Sequence, residues 1–262
     1  MPKSDRRRYF EHEEEKEECC ERYSKDEHIH TAFRIADGCW RHYEGEGGGG
    51  TSSMGSLYSG GLGPCAYVRL RLAILMGHDD VVIEGMAEDD RETKKARLLQ
   101  DGLAAVEDAL LLLCKGKEER KKTKCTLLGG PVSGALAMKV ALLQQLGRTK
   151  EAVTTAQEVL FLLSSEEKDL ADCECEVLNG RAGHLQLISF LREHLGEEHF
   201  GKEYVRDTIR AIIHNGINTS RREKTKCTSA ETAAALPPLL WEWHDKVYLG
   251  ACHGVVGILY SL

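Results

Sequence analysis

The sequence has few of the features that define membrane-spanning, secreted or nucleic-acid-binding proteins. No apolar run approaches the ~20 residues that a transmembrane helix needs. No apolar segment follows the basic N-terminal residues, so we expect no secretory signal and a cytoplasmic protein, with peripheral attachment to the plasma membrane as an alternative. Lysine and arginine number 35 against 42 aspartates and glutamates, and this net charge of −7 argues against a nucleic-acid partner.

Proline is also scarce, with 5 residues in 262, so long helical segments run without interruption. Neither the turn signals of a strand meander nor an alternating strand–helix pattern is present, and the sequence therefore predicts an all-α fold. Ten cysteines occur, but the chain is neither short nor visibly secreted. We therefore predict free, mostly buried thiols rather than a disulfide framework.

The N-terminal part of the chain has little to bury. Residues 1–30 are dominated by charge, and residues 45–56, GEGGGGTSSMGS, have the composition of a flexible linker. We therefore predict a charged and Gly-rich tail and linker over residues 1–55, disordered or partly helical. One folded domain is predicted over residues 56–262.

Apolar residues at helical spacing mark successive helices in this domain. The stripes are formed by Tyr67, Leu70 and Ile74; by Leu103, Val106, Leu110 and Leu113; by Val153, Ala156, Leu160 and Leu163; by Leu185, Ile188 and Leu191; and by Tyr204, Ile209, Ile212 and Ile213. Residues 134–146 are apolar nearly all round, which predicts a helix buried on most sides. The charged segments 79–97, 115–124 and 219–235 are predicted to be surface loops or insertions.

Four Gly-rich turns lead directly into apolar helices. Three of them contain two glycines three residues apart, and the turn at Gly129 and Gly130 has one extra residue; the three pairs are Gly60/Gly63, Gly180/Gly183 and Gly254/Gly257. Because glycine lets backbones approach closely, these turns would let several helix N-termini crowd together at one end of a bundle. Such a setting suits an anion or an active site. A single such turn is ordinary, whereas four in series indicate an architecture, and their uneven spacing counts against a short solenoid.

The C-terminal segment resembles a known family. Residues 240–260, LWEWHDKVYLGACHGVVGILY, are similar to the E-W-(x)n-Y-x-G-A-A-H-G-L-A-G-I pattern of the eukaryotic LanC-like (lanthionine synthetase C-like) proteins. LNGRAGHLQ resembles that family's LYGRAGY turn, and LYSGGLG resembles its first turn, so the similarity covers roughly residues 55–262. It implies a partial α/α toroid, an incomplete barrel of six or seven hairpins with Gly-rich turns on the inner ring. Four of the family's seven turns fall within this chain.

The resemblance also implies a reaction. In this family a zinc ion lowers the pKa of a thiol, and the thiolate adds to a dehydroamino acid to form a thioether. In eukaryotic members the thiol is glutathione and the acceptor lies in a protein or peptide. The family's zinc ligands, two cysteines and a histidine, belong to its fifth and sixth turns, which would follow Leu262. We therefore expect a chain that binds no stoichiometric zinc, is inactive by itself and self-associates through the open toroid.

His253 is the candidate catalytic residue by resemblance. The histidine of the family's fourth turn acts as an acid and base, a role that suits imidazole because histidine titrates near neutral pH. The alternative is an ordinary histidine at a helix N-terminus.

Cys252 and His253 also mimic the C-H-G metal-ligand motif of a later turn. We reject that alignment, and with it a metal-ligand role for Cys252, because Trp241 and Trp243 belong to the fourth-turn pattern.

Arg181 is the candidate substrate-binding residue, because it lies in the third turn beside a helix N-terminus and could meet an anion or phosphate. Pairing with a nearby carboxylate is the alternative.

Three functions follow from the whole pattern. The first is a LanC-like thioether-forming enzyme, and the second is a non-catalytic glutathione- or peptide-binding or interaction module. The third is another α/α-toroid enzyme such as a glycosidase, which would need paired carboxylates at the inner helix ends that are not evident.

Overall fold

The computed structural model describes residues 57–58, 62–78, 83, 86–115, 124–166 and 174–262. These residues form eight α-helices, one 3-10 turn at Glu197–His199 and a two-stranded ribbon. The helices are α1 (Leu62–Met76), α2 (Glu88–Lys115), α3 (Pro131–Gln145), α4 (Thr149–Glu166), α5 (Arg181–Leu195), α6 (Lys202–Lys226), α7 (Ala230–Ala235) and α8 (Val255–Ser261). The ribbon pairs β1 (Glu242–Trp243) with β2 (Lys246–Val247) in antiparallel fashion. The predicted tail and linker at residues 1–55 lie outside the described residues.

The helices are arranged as an inner row backed by an outer row. Helices α1, α3, α5 and α8 contact one another in that order, and each follows one of the Gly-rich turns. Helix α2 packs behind α1, α4 behind α3 and α6 behind α5. The prediction of an all-α fold containing part of an α/α toroid is confirmed by this arrangement.

Helix α3 occupies the centre of this arc. It begins with Pro131 at its first position, where the missing N–H has no helical partner to lose, and ten of its 15 residues are buried. It contacts α1, α2, α4 and α5, which explains why its sequence is apolar nearly all round. Helix α5 ends at Gly196, whose φ of 90° is left-handed and therefore favours glycine.

Two predicted loops are helical instead. Residues 88–97 form the start of α2, where Glu88, Asp89 and Asp90 interact favourably with the positive end of the helix dipole. Residues 219–226 complete α6, with Thr219 and Ser220 buried in an otherwise charged segment. The loop predictions for 79–97 and 219–235 were wrong over these stretches, because an outer helix needs only one narrow buried stripe and keeps its charges in solvent.

The predicted stripes are largely buried, with two exceptions, one in α1 and the other at Ile213 of α6, which is 37% exposed. Tyr67 is 40% exposed, and the inner face of α1 is formed by Leu62, Ala66, Leu70 and Ala73, at helical spacing. The predicted stripe therefore included one residue on the wrong face. The six cysteines that the structure describes are not joined in disulfides, and Cys65, Cys125 and Cys175 are buried.

A second, smaller core lies beside the main one and is built around Trp241. Cys175, Val177, Ala182, Leu185, Ile212 and Ile258 share this cluster with its indole. Trp241 donates its indole N–H to the carbonyl oxygen of Ile212 at 2.9 Å. Gly216 lies against the ring, where an added Cβ would come within 2.7 Å of Cε2. The segment that precedes the ribbon is thus anchored to α6.

In the described ranges, no helix combines the length and hydropathy that a membrane crossing requires.

Candidate active site

The described residues of the four Gly-rich turns, which in the first turn are residues 57–58 and 62–63, lie side by side along one edge of the inner row. Backbone hydrogen bonds join each turn to the next in sequence order. They run from Tyr58 N–H to Leu128 O (3.1 Å), from Leu127 N–H to Gly183 O (3.4 Å) and from Val177 N–H to Cys252 O (3.1 Å). The predicted gathering of helix N-termini at one end of the bundle is therefore present in the structure.

The second glycine of a turn is required by this close approach. A Cβ at Gly183 would collide with the carbonyl oxygen of Val177 and lie 2.7 Å from the side chain of Thr126. A Cβ at Gly257 would collide with the carbonyl oxygen of Ala251 and lie 2.8 Å from Cγ2 of Val177. Only a residue without a side chain allows the turns to pack this tightly.

His253 lies in the fourth turn and reaches across to the third. Its Nδ1 is 2.7 Å from Oε2 of Glu176. The Glu176 side chain is 1% exposed, whereas that of His253 is 27% exposed. The imidazole therefore sits at the boundary between a buried carboxylate and the solvent side of the turns.

Glu176 is held in place by its own turn. One carboxylate oxygen accepts the backbone N–H of Leu178 at 2.9 Å, and the other accepts the backbone N–H of Asn179. A carboxyl group surrounded by such donors acts as an acceptor in its ionised form. An ionised Glu176 only accepts, so in that state Nδ1 of His253 carries the proton of the shared bond, and no described residue bonds to Nε2.

The second contact of His253 is aromatic. The imidazole stacks on the indole of Trp243, with ring centroids 3.8 Å apart and an angle of 6° between the planes. Trp243 in turn meets Tyr248 edge-on at a centroid distance of 5.7 Å. The histidine ring is thus held by a carboxylate at one nitrogen and by an indole on one face, an arrangement suited to proton transfer at Nε2.

Arg181 begins α5 and is buried, with 4% of its surface exposed. Its guanidinium donates to the sulfur of Cys175 at 3.5 Å, and its Nε has no hydrogen-bond partner among the described residues. No carboxylate of the described residues pairs with Arg181, so the ion pair that was the alternative for this arginine is not observed there. Its role as an anion- or substrate-binding residue stays a prediction.

The described residues do not supply a zinc site. No three histidine, cysteine, aspartate or glutamate side chains come together with the geometry of a metal centre in the ranges that the structure describes. Cys252 is a partly exposed free thiol, and the Nδ1 of His253 is already bonded to Glu176. A structural or catalytic zinc needs three or four protein ligands, so these residues do not fit one.

Comparison with known proteins decides the family. Residues 88–262 match the sequence profile of the family described as Lanthionine synthetase C-like protein. The chain belongs to this family. It is also 28% identical over 130 residues to Glutathione S-transferase LANCL1 of Danio rerio, an alignment that covers 50% of this chain. The aligned part spans 30% of the length of that relative.

In this LanC-like chain, the motif pattern singled out His253 as a candidate but not the two residues that contact it. Glu176 follows Asp172 and Glu174 in a charged stretch of the sequence, so no local signal sets it apart from its neighbours. Trp243 was noted only as part of the family pattern. Its contact with His253 depends on how the ribbon folds back, which no local pattern shows.

Proposed function

We propose that this LanC-like chain carries the proton-transfer residues of a thiol-addition site. In the reaction, a thiol such as glutathione adds to a dehydroamino acid of a protein or peptide. The observation that supports the proposal is the Glu176–His253 pair at the edge of the Gly-rich turns, with Nδ1 bonded and Nε2 without a partner among the described residues. The name of the zebrafish relative, a glutathione S-transferase, agrees with a thiol substrate.

The chemistry follows from the free Nε2. Neutral His253 accepts the thiol proton at Nε2 while the sulfur attacks the β-carbon of the dehydroamino acid. One C–S bond forms, and the electrons of the C=C bond move to the α-carbon as an enolate. The imidazolium then returns its proton to the α-carbon, so that S–H has added across the double bond with no change of oxidation state. Glu176 stabilises the imidazolium between these two proton transfers and preserves the tautomer.

No step is assigned to a metal, because the described residues do not provide its ligands. We propose that the chain by itself is catalytically silent, with substoichiometric zinc, and acts as a glutathione- or peptide-binding module. The absence of a three-ligand group from the described ranges favours this second function over turnover. Family membership favours either of these functions over a glycosidase.

Metal analysis and binding measurements on the purified 262-residue chain test these proposals. We expect well below one zinc per chain and no glutathione addition to a dehydroalanine peptide by mass spectrometry. Calorimetry should nevertheless detect binding of glutathione or of the peptide, weakened in His253→Ala but not in His214→Ala, which changes an exposed histidine of α6. Absence of any binding would refute the binding function.

Turnover accompanied by one tightly bound zinc would refute catalytic silence but leave the proton-transfer proposal open to a direct test. In that case His253→Asn should lower kcat by about 10²- to 10⁴-fold, the usual contribution of a general acid or base. His214→Asn should leave kcat unchanged. An active His253→Asn variant would rule out the proton-transfer role.

The remaining proposals concern partners and location. We propose that the chain self-associates through the exposed apolar surface of α8. We also propose a cytoplasmic location with peripheral contact with the plasma membrane. Fractionation of cells that express the chain tests the location. Chain in the soluble fraction supports the cytoplasmic proposal, and chain recovered with membranes and released by salt supports peripheral attachment.

A further inference from the structure

The indole of Trp243 covers one face of the His253 imidazole in a nearly parallel stack. We propose that Trp243 is a positioning residue that sets the orientation of this ring and so directs Nε2 toward the reacting groups. The proposal rests on the proposed function of His253 and deepens it. It assigns no chemistry to the indole itself, which has no group that takes up or releases a proton in this reaction.

The two contacts of His253 constrain different motions of the ring. The 2.7 Å bond from Nδ1 to Glu176 holds one atom but leaves the ring free to tilt about that bond. The stack at 3.8 Å with planes 6° apart holds the plane of the ring. Together they define the direction of Nε2, whereas either one alone leaves it variable. An imidazole that is 27% exposed has enough open space to move if the stack is removed.

Trp243 is itself well supported. It lies in β1 and pairs with Lys246 of β2 in the antiparallel ribbon. Its neighbour Glu242 forms an ion pair with Arg222 of α6. On the other side of Glu242, Trp241 is buried in the second core and bonded to α6. The indole of Trp243 is therefore attached to α6 through the residues immediately before it.

The turn of the ribbon adds to this support. His244 and Asp245 join the two strands with φ values of 50° and 59°, the left-handed conformation of a two-residue hairpin turn. The turn directs the chain back so that Tyr248 packs edge-on against Trp243 at 5.7 Å. The indole thus has aromatic contacts on its edge as well as on its face, which favours one orientation of its side chain.

A purely structural role for Trp243 predicts a different result from a positioning role. Loss of packing alone would lower the melting temperature and leave the His253–Glu176 bond as it is. Loss of positioning would leave the fold intact and release the ring. The test must therefore observe the imidazole directly.

Nuclear magnetic resonance of the full chain labelled with ¹⁵N-histidine provides this observation. The Nδ1–H signal of His253 is assigned by its disappearance in His253→Asn. We expect a protected, hydrogen-bonded Nδ1–H in the wild type and in Trp243→Phe, which keeps an aromatic face. In Trp243→Leu the signal should broaden or disappear through exchange with water. Lys246→Ala, which changes the ribbon without altering an aromatic ring, should match the wild type. An unchanged signal in a folded Trp243→Leu variant overturns the proposal.

Fluorescence tests the stack without altering Trp243 itself. An imidazole in contact with indole quenches its emission, so His253→Ala should increase tryptophan emission in the wild-type background. The same substitution in a Trp243→Phe background should leave the emission of the other tryptophans unchanged. Equal changes in the two backgrounds, or none in either, would show that the stack does not form in solution and would overturn the proposal even if Trp243→Leu failed to fold.

These spectroscopic results separate this inference from the proposed function. If glutathione and peptide fail to bind while the stack and the Nδ1–H signal respond as expected, the proposed function fails and the positioning of His253 stands. If ligands bind but the signal is indifferent to Trp243→Leu, the positioning role fails. Should the chain turn over, Trp243→Leu should lower kcat by about 10- to 100-fold with little change in KM, the effect of misplacing a catalytic group by a small distance. Trp243→Phe should restore most of it.

Discussion

His253 and Glu176 are 77 residues apart in the chain, yet Nδ1 of one lies 2.7 Å from Oε2 of the other. The backbone explains the meeting, because Val177 donates its N–H to the carbonyl oxygen of Cys252 at 3.1 Å. The residues that flank this bond on each turn are the carboxylate and the imidazole. The backbone hydrogen bond that joins the third turn to the fourth therefore also brings together the two residues of the candidate site.

Removal of the Glu176 carboxylate should destabilise the fold as well as the site. Glu176→Ala leaves the backbone N–H groups of Leu178 and Asn179 without their acceptor, and a buried donor without a partner costs about 1–3 kcal/mol. Urea denaturation measures this loss in the free energy of unfolding. Glu174→Gln is the control, because Glu174 contributes its backbone carbonyl to the turn, as acceptor for Arg181 N–H. Equal stability of the two variants would contradict the buried role of Glu176.

Glycine should be irreplaceable where the turns meet and replaceable elsewhere. Gly183→Ala forces a methyl group against the carbonyl oxygen of Val177 and the side chain of Thr126, and we expect a loss of about 1–3 kcal/mol from overpacking. Gly201→Ala places its methyl group in open space at a φ of −58°. That variant should be neutral or stabilised by up to about 1 kcal/mol. Comparable losses in both variants would show that close packing is not what Gly183 provides.

The stability of the protein should fall in mild acid partly because of His194. Burial lowers the pKa of His194, assisted by the positive charge of Arg71 and opposed by Glu193. Because its pKa is lower in the folded state than in the unfolded one, the unfolded state binds more protons as pH falls through about 6.5. The free energy of unfolding should therefore decrease in that direction. His194→Gln should show a shallower decrease in urea titrations across this range, and parallel curves for the two proteins would contradict the assignment.

Helix α8 should promote association between copies of the chain. Val256, Leu259 and Tyr260 expose more than half of their surfaces on this short helix, with Tyr260 at 86%. Leu259→Lys should shift sedimentation velocity profiles toward the monomer, because a charge on an apolar contact opposes its burial. Phe161→Lys is the matched control, since it changes an equally prominent apolar residue on the outer helix α4, 71% exposed. A monodisperse wild-type monomer would contradict the predicted self-association.

Much of the fold followed from local pattern. Apolar stripes located the helices because an α-helix that buries one face repeats its apolar residues every three or four positions. The start of α2 and the end of α6 escaped this reasoning. Both segments are rich in charge, and their apolar contacts are supplied by neighbours that local spacing does not reveal.

The sequence by itself located most of the helices and the glycines of the turns, and it singled out the histidine at position 253 as a candidate, since each depends on residues close together in the chain. Only the tertiary structure decided that Glu176 bonds to His253 and that Trp243 stacks on it. The physical reason is that these three residues are far apart in the sequence. Which turn lies beside which depends on the packing of the whole inner row, and the carboxylate, imidazole and indole meet only after that row and the ribbon have formed.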